Sequence, residues 1–300
     1  MSRDKFVPCL WMDDQAQAAA GAYAKIFPGG KVLLESHYPE SFDNPGGKPR
    51  GSVLTVDFEI AGQRFTALNG GPMFQINQTI SFLVQVATAA EVDALHEQLV
   101  DGGQELMPID KYPWSDRYAW VKDRFGVTWQ LMTRAMPKAE PMIVPVFMFA
   151  GKVHGRAEEA LRTWAKVLGG KVGDLAYYGP GEGKEGTIKH GRVVIGDHQL
   201  AAMDSHIDHN VVFDEGVSLQ IMCDDQAELD RLWSALSDGG EQSQCGWLKD
   251  KFGVSWQVVP RQIVKWMASK DQAANDRAFK AMLEMGKLDI AKLEAAFRHA

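Results

Sequence analysis

The chain has 300 residues, of which 45% are hydrophobic and 24% are charged, and its formal net charge is −7. This composition is typical of a globular protein long enough for two domains. The acidic balance without a basic stripe argues against nucleic-acid binding, and no apolar run reaches the roughly 20 residues of a membrane span. The N-terminus lacks an apolar signal segment, and three cysteines without CxxC spacing favour a reducing compartment. We therefore expect a cytoplasmic protein that binds neither nucleic acid nor membrane.

The first half of the chain alternates between strand and helix patterns. An apolar strand at Phe6–Trp11 precedes an Ala-rich helix that ends near Phe27, with Asp13 or Asp14 as its N-cap. Three further strands follow, and the order of strand, helix and three strands repeats from Ile80 onward. The pattern predicts two βαβββ units in this half.

The second half gives the same order of elements from Val144 onward, and a tail without a counterpart in the first half follows it. The tail has helical spacing at Gln262–Trp266, Asp271–Met285 and Leu288–Phe297, with Asp289 as a cap for the last helix. We expect these helices to pack against the sheets or against a partner subunit.

One eleven-residue sequence occurs twice. Residues 120–130 are WVKDRFGVTWQ and residues 247–257 are WLKDKFGVSWQ, with eight identical positions. Each copy is typical of a hairpin, because the glycine tolerates the positive φ of a turn between two short apolar strands. A repeat this close indicates a duplicated unit. Leu99 and Leu236 are 137 positions apart but Trp120 and Trp247 only 127, so about ten extra residues lie near 107–118.

The duplication divides the chain into four parts. The predicted boundaries give a first domain at residues 1–135, a proline-containing linker at 136–142, a second domain at 143–260 and a C-terminal helical extension at 261–300. The two halves are expected to pair with each other, and dimerisation of the whole chain through the tail is a further hypothesis.

Four βαβββ units in two tandem halves resemble the vicinal oxygen chelate superfamily, which includes glyoxalase I, bleomycin-resistance proteins and extradiol dioxygenases. Several sequence motifs resemble those of its PhnB-like branch: WMD (11–13), ALNGGP (67–72), ISF (80–82), MDS (203–205), VS (217–218), QCGW (244–247) and the repeated hairpin. The resemblance implies an α+β fold of two tandem glyoxalase-like domains, each of two βαβββ units forming a curved mixed sheet. Relatives are often labelled 3-demethylubiquinone-9 3-methyltransferase, but this chain lacks the glycine-rich loop of a Rossmann-like methyltransferase.

The resemblance also implies positions for a divalent metal, which the superfamily usually holds with His, Glu or Gln side chains on four strands. The residues at those positions are weak donors or have no donor: Pro8 and Pro145, Ser81 and Ser218, and Gln130 and Gln257. Two glutamines with serines and prolines do not make a strong site, so we expect no metal cofactor. A second donor-rich stretch, DSHIDH at 204–209, is interpreted as a solvated loop with turn-capping side chains.

The strand-lined cups remain as candidate binding sites. Period-2 alternation directs the glutamines of the repeated hairpins into a cup and Trp129 and Trp256 to the opposite face. We expect each cup to be lined by both units of one half. The candidate lining residues are Gln130, Ser81, Thr128 and Asn69 in the first half and Gln257, Ser218, Ser255, Trp247 and Cys245 in the second. Trp11, Trp120 and Trp247 form aromatic walls if they point inward and belong to the core if they do not.

The lining predicts recognition of a small molecule more strongly than it predicts a reaction. Cys245 has no His or helix N-terminus nearby in sequence to lower its pKa, which favours a structural cysteine over a nucleophile. Polar side chains beside aromatic walls suit a small organic ligand bound without a metal. The alternative is an enzyme of the same fold, either a metal-dependent lyase, isomerase or dioxygenase or the methyltransferase that the label implies. A scaffold whose cups are filled by side chains is the third hypothesis.

Overall fold

The computed structural model describes residues 4–44, 46–134, 142–207 and 209–298. The first half contains β1 (Phe6–Met12), α1 (Ala16–Ile26), β2 (Lys31–His37), β3 (Val53–Ile60), β4 (Gln63–Asn69), β5 (Ile80–Val86), α2 (Ala89–Val100), β6 (Gln104–Tyr112), β7 (Ser115–Lys122) and β8 (Thr128–Thr133). Residues 136–141 of the predicted linker lie outside the described residues.

The second half repeats this order and ends in the tail. Its elements are β9 (Met142–Phe149), a 3-10 turn (Gly151–Val153), α3 (Ala157–Leu168), β10 (Lys171–Tyr177), β11 (Ile188–Ile195), β12 (His198–Asp204), β13 (Val217–Cys223), α4 (Gln226–Ser237), β14 (Glu241–Gln242), β15 (Trp247–Lys249) and β16 (Ser255–Pro260). The tail helices are α5 (Ile263–Met267), α6 (Gln272–Leu283) and α7 (Ile290–Arg298). Among the described residues, no helix is long and apolar enough to cross a membrane.

Two eight-stranded mixed sheets form, and each combines one βαβββ unit from each half. Sheet A has the order β14-β15-β16-β13-β1-β4-β3-β2, and sheet B has the order β10-β11-β12-β9-β5-β8-β7-β6. The units join through antiparallel pairs, in which Phe6 of β1 lies opposite Ile221 of β13 and Ile80 of β5 lies opposite Phe147 of β9. The predicted α+β arrangement of two tandem halves, each of two βαβββ units, is confirmed.

The expectation that both units of one half line the same cup is wrong. In sheet A, β1 completes its hydrogen bonding with β13 of the other half, and in sheet B, β5 does so with β9. The physical reason lies in the duplication itself. Homologous units present similar strand edges, so the apolar pattern of one half does not distinguish its own second unit from that of the other half.

Helices cover one face of each sheet. Helices α1 and α4 pack on sheet A, whereas α2 and α3 pack on sheet B. The main apolar core lies beneath these helices and contains Trp129, Trp164 and Trp256, all fully buried. The predicted orientation of Trp129 and Trp256, away from the glutamines that follow them, agrees with this arrangement.

Helix α1 is capped from a distant strand, which differs from the prediction that Asp13 or Asp14 caps it. Its N-cap residue is Gln15, whose side chain makes no capping hydrogen bond. Instead, Oδ1 of Asn69 at the end of β4 accepts a hydrogen bond from the backbone nitrogen of Ala16 at 2.9 Å. A search for caps next to the helix in sequence does not find an acceptor 53 residues away.

The first copy of the repeated sequence forms a hairpin around a buried carboxylate. Asp123 accepts hydrogen bonds from Tyr23 Oη at 2.7 Å and from Trp129 Nε1 at 2.8 Å. It also accepts hydrogen bonds from the backbone nitrogens of Phe125 at 2.8 Å and Val127 at 3.0 Å. One carboxylate therefore ties the turn to helix α1 and to the returning strand.

The second copy repeats this arrangement around Asp250. Trp164 Nε1 of α3 and Trp256 Nε1 donate to Asp250 at 2.9 and 3.0 Å, and the backbone nitrogens of Phe252 and Val254 donate at 2.9 and 3.1 Å. Burial raises the pKa of the carboxyl in each copy, while the four donated hydrogen bonds oppose that rise. The hydrogen bonds of this aspartate thus explain much of the repeated hairpin sequence.

The tail crosses the face of sheet A that α1 and α4 leave free. Asp276 of α6 accepts a hydrogen bond from Ser41 N at 2.9 Å in the loop after β2, and Met285 O accepts one from Cys245 N at 2.7 Å before β15. The tail is therefore hydrogen-bonded to the loop after β2 and to the segment before β15.

Two buried leucines fasten the tail to the rest of the chain. Leu288 and Leu293 are at most 1% exposed and belong to the main core. Oδ1 of Asp289 accepts a hydrogen bond from Lys292 N at 3.0 Å, so Asp289 caps α7 as predicted. The tail therefore packs against its own chain.

Gly21 in α1 offers a simple test of the helix packing. No heavy atom lies within 4 Å of the position that a Cβ would take. We expect Gly21→Ala to raise the free energy of unfolding by about 0.5–1 kcal/mol, because glycine is costly inside a helix. Urea unfolding measures it. As a control, Gly30→Ala should destabilise, because its Cβ would lie 2.3 Å from the Ala24 carbonyl oxygen; a less stable Gly21→Ala variant would contradict the prediction.

Candidate functional site

Each sheet carries a hydrogen-bonded Ser–Gln pair on the face away from α1–α4. In sheet B, Gln130 Nε2 donates to Ser81 Oγ at 2.8 Å, and in sheet A, Gln257 Nε2 donates to Ser218 Oγ at 2.9 Å. All four side chains are at most 8% exposed. We call the face around Gln257 cup A and the face around Gln130 cup B. The structure brings together the serine and glutamine that the sequence proposed for each cup.

In cup A the pair continues into a row of polar side chains across the sheet. Gln220 Nε2 donates to Gln257 Oε1 at 3.2 Å, and Thr66 Oγ1 lies 3.4 Å from Gln220 Oε1. Thr66 Oγ1 also donates to Asp57 Oδ1 at 2.6 Å, and Asp57 forms an ion pair with Arg64. These side chains were missed in the sequence. Alternation along β13 could have identified Gln220, which follows Ser218 by two positions.

Cys9 faces cup A at the centre of sheet A. Strand β1 places it opposite Ser218. Burial raises the pKa of its thiol to about 12, although hydrogen bonds with Gln257 and Ser218 act in the opposite direction. The thiol is therefore protonated at neutral pH. The resemblance mapped the first-strand ligand to Pro8, but Pro8 lies opposite Leu219 of the main core, so Cys9 is the residue that faces the cup.

The donors in the two cups do not fit a divalent metal. Cup B has Val146 at the position that corresponds to Cys9, and valine supplies no ligand. In cup A the carboxylate of Asp57 is already paired with Arg64, and the amides are hydrogen-bonded to one another. Throughout the described residues, no group of three or more His, Cys, Asp or Glu side chains is placed to hold a metal ion.

In the donor-rich stretch at residues 204–209, the first residue, Asp204, has a structural role. The carboxylate of Asp204 accepts hydrogen bonds from the backbone nitrogens of Gly155, Ala157 and Ile188 at 2.7, 3.3 and 2.9 Å. His209 Nε2 lies 2.9 Å from Ser205 Oγ. Asp208 lies outside the described residues. Asp204 thus has the same role for α3 that Asn69 has for α1.

Cup B is mostly apolar around its Ser–Gln pair. The register that pairs Cys9 with Thr66 in sheet A pairs Val146 with Ala201 in sheet B. Tyr118 Oη donates to Gln130 Oε1 at 3.0 Å, which uses the remaining amide oxygen. The apolar side chains clustered on this face are Leu83, Val144, Val146, Ala201, Met132, Met148 and Met203. The two cups have therefore diverged from a common plan.

Trp120 faces cup B and has an unsatisfied donor. Its side chain is 8% exposed, and its Nε1 is buried without a hydrogen-bond partner among the described residues. It packs with Tyr118 and Met148 in a cluster separate from the main core. Its counterpart Trp247 is partly exposed and contacts Trp11 edge-to-face at 6.0 Å between ring centroids. Trp120 therefore lies on the cup face and packs in a small apolar cluster of its own.

The other proposed lining residues differ in whether their polar groups are already hydrogen-bonded. Thr128 Oγ1 donates to the Ile80 carbonyl at 3.3 Å, while Ser255 Oγ is buried without a partner among the described residues. Asn69 does not line a cup. Period 2 turns its side chain toward α1, where it caps the helix and donates to Val53 O at 3.1 Å.

Cys245 lies beneath the tail. Its Sγ is 3.6 Å from the Met282 carbonyl oxygen, and burial raises the pKa of the thiol to about 11. A protonated thiol is a weak nucleophile. The geometry agrees with the interpretation of Cys245 as a structural cysteine.

The two cups have different covers. The extra residues near 107–118 lengthen β6 and β7 to 9 and 8 residues, compared with 2 and 3 residues in β14 and β15. Leu106, Met107 and Tyr112 of the longer hairpin pack against Tyr118 and Trp120 in cup B. In cup A, where this hairpin is short, the tail lies across the free face instead.

Known proteins share both the sequence pattern and the fold. A family model described as 3-demethylubiquinone-9 3-methyltransferase matches residues 4–132 and 141–259. Glyoxalase I from Zea mays is 13% identical, covers 88% of this chain and 95% of its own, and has a TM-score of 0.56. A point mutant of the same maize enzyme is 14% identical, with the same coverage and TM-score. A PhnB protein from Bacillus cereus is 27% identical, covers 43% of this chain and 98% of its own, and has a TM-score of 0.39. No curated protein sequence matches the chain.

The solved structures show the fold of the chain, and the family model shows its family. The maize structures show the glyoxalase fold over most of the chain. The family model matches the two halves in tandem, from residue 4 to residue 259 with a short gap at the junction. The chain therefore belongs to the family described as 3-demethylubiquinone-9 3-methyltransferase, on a fold similar to that of glyoxalase I.

Proposed function

We propose that this protein binds a small, largely apolar organic molecule in cup B, with Trp120 Nε1 donating a hydrogen bond to an acceptor on the ligand. The supporting observation is that this donor is buried without a partner among the described residues, on a face that methionine and aliphatic side chains line. An unmet buried donor costs free energy, which an acceptor on a ligand recovers.

The composition of cup B narrows the chemistry of the ligand. Gln130 Nε2 donates to Ser81 and Gln130 Oε1 accepts from Tyr118, whereas Trp120 Nε1 has no partner among the described residues and is therefore the donor that we assign to the ligand. Methionine side chains adapt to flat apolar shapes and contact aromatic rings favourably. A quinone ring, of the kind that the family description names, presents carbonyl acceptors on a flat frame and fits this lining.

The second candidate is the methyltransferase activity that the family description names. It requires the same cup to hold the acceptor ring and the chain to bind a methyl donor as well. Titration with S-adenosylmethionine, alone and with the ring compound present, tests this reaction separately from simple binding.

Calorimetric titration with a short-chain dimethoxy-benzoquinone is the experiment for cup B. We expect binding to the wild-type protein and an affinity about tenfold lower for Trp120→Phe, because the variant keeps an aromatic ring but loses one hydrogen bond of about 1.4 kcal/mol. The matched control is Trp247→Phe, which makes the same change in cup A and should leave the affinity unchanged. Equal losses in both variants, or no binding of the quinone or of simple aromatic ketones, would exclude cup B as the site.

A further inference from the structure

A cleft outside the Ser–Gln cups lies between the end of β1 and the repeated hairpin of the first half. Its volume is about 490 Å³, which is within the range of small-molecule sites. The lining residues that matter here are Trp11, Phe74, Phe125, Gln15, Lys122 and Arg124. The homologous position in the second half provides an internal comparison.

In the second half, an arginine covers the matching position. Ala16 and Ala157 each begin a helix and each receive a cap from the end of a strand, so Gln15 corresponds to Arg156. The guanidinium of Arg156 lies 4.5 Å from the ring centroid of Phe252, and its Nη1 donates to the Lys251 carbonyl at 3.1 Å. The shorter side chain of Gln15 leaves the corresponding space in the first half open.

Acidic partners neutralise the cations of the second half. Glu159 pairs with Arg156 at 3.1 Å and with Lys251 at 2.7 Å. Glu215 pairs with Lys249 at 3.1 Å. These pairs place every one of the three cations next to a carboxylate.

The first half has no acidic residue at the positions of Glu159 and Glu215. The helix and strand registers place Ala18 where Glu159 stands and Gln78 where Glu215 stands. Lys122 makes no ion pair with a described residue, and the pair between Arg124 and Asp101 spans 3.9 Å. The same fold element thus keeps its cations but lacks counterparts of Glu159 and Glu215, and Arg124 keeps only the long contact with Asp101.

Two further features of the cleft favour an aromatic anion: its aromatic wall and the engagement of its acidic side chains by other groups. Trp11 and Phe74 meet edge-to-face at 4.9 Å between ring centroids, and Phe125 forms part of the lining. The acidic residues of the cleft are already engaged, because Asp13 pairs with Lys48 at 3.1 Å and Asp123 accepts four hydrogen bonds within the hairpin. Lys122 therefore remains available to a ligand, and Arg124, which lies 5.0 Å from the Phe125 ring centroid, has only the 3.9 Å contact with Asp101.

We propose that this cleft is a second binding site, which takes a small aromatic anion. The carboxylate of the ligand pairs with Lys122 and Arg124, and its ring contacts the aromatic wall of Trp11, Phe74 and Phe125. Because neither cation belongs to cup B, this site is independent of the function proposed for Trp120.

Fluorine NMR with 4-fluorobenzoate tests the site, and 4-fluorobenzyl alcohol serves as the uncharged probe. We expect the full-length protein to broaden the benzoate signal and to bind the alcohol at least tenfold more weakly. The double variant Lys122→Gln/Arg124→Gln should bind benzoate at least tenfold more weakly than the wild type. The matched control, Lys249→Gln/Lys251→Gln in the second half, should bind benzoate like the wild type.

A further double variant tests whether the arginine and the glutamate of the second half close the cleft. Gln15→Arg/Ala18→Glu introduces the second-half arginine and its partner into the first half, and it should abolish benzoate binding while both cations stay in place. Trp120→Phe should leave benzoate binding unchanged, so a failure here is distinguishable from a failure at cup B. The proposal is overturned if benzoate does not bind at millimolar concentration, if the alcohol binds equally well, or if benzoate binds the closed variant like the wild type.

Discussion

Replacing Asp123 with alanine is expected to lower the free energy of unfolding by about 3–5 kcal/mol. The substitution leaves two side-chain donors, those of Tyr23 and Trp129, without an acceptor in the core. It also frees two backbone N–H groups in the hairpin turn. Urea unfolding followed by far-UV circular dichroism measures the loss.

Two controls separate this effect from simple loss of a charge. Asp116→Ala removes an exposed carboxylate from the same half, whose surface pair with Lys111 should contribute less than about 1 kcal/mol. Asp123→Asn keeps the size of the side chain but directs an NH2 group at neighbouring donors, so it should also destabilise. If Asp123→Asn unfolded like the wild type, the four-donor arrangement would not be what holds the hairpin.

Leu288→Ala is expected to lower the free energy of unfolding by about 2–5 kcal/mol, which is the usual cost of truncating a buried leucine. Leu288 is fully buried, and its side chain packs where the chain passes Gly246 before β15. The truncation weakens the attachment of the tail at one margin of cup A. We therefore also expect faster cleavage between α5 and α7 in limited proteolysis under native conditions.

The control for this prediction is Leu283→Ala, at a partly exposed position in the same tail. It should lower the free energy of unfolding by less than Leu288→Ala and leave the rate of proteolysis close to that of the wild type. If Leu288→Ala lost stability but was cleaved no faster in the tail, Leu288 would support the core without fastening the tail.

The hairpin and its alternation could be predicted because they depend on neighbouring residues. The spacing of Trp129 and Gln130 alone places one side chain in the core and the next in a cup. The cap of α1 could not be predicted in the same way, because its acceptor, Asn69, comes from another strand. The pairing of units across the halves could not be predicted either, because the duplication gives the homologous units similar strand edges.

Part of the candidate site could be predicted from the sequence, and part could not. Ser81 and Gln130 belong to one unit, so their meeting follows from parallel pairing of β5 with β8. The polar row of cup A joins Thr66 to Gln220, which lie in different halves, and no spacing in the sequence relates them. The isolation of the Trp120 donor is also a property of three-dimensional packing, since Trp247 occupies the same place in the repeated sequence and is partly exposed.

The exchange of units between sheets has a consequence for the order of events at the ribosome. Sheet B is built from one continuous stretch, residues 80–204, whereas sheet A needs residues from both ends of the chain. Strand β1 is synthesised more than 200 residues before β13, the strand that covers its open edge. Sheet B can therefore close before β13 has been translated, and the unit from β1 to β4 must remain incomplete until β13 has emerged. Nascent-chain protection against aggregation should accordingly matter most for the unit that runs from β1 to β4.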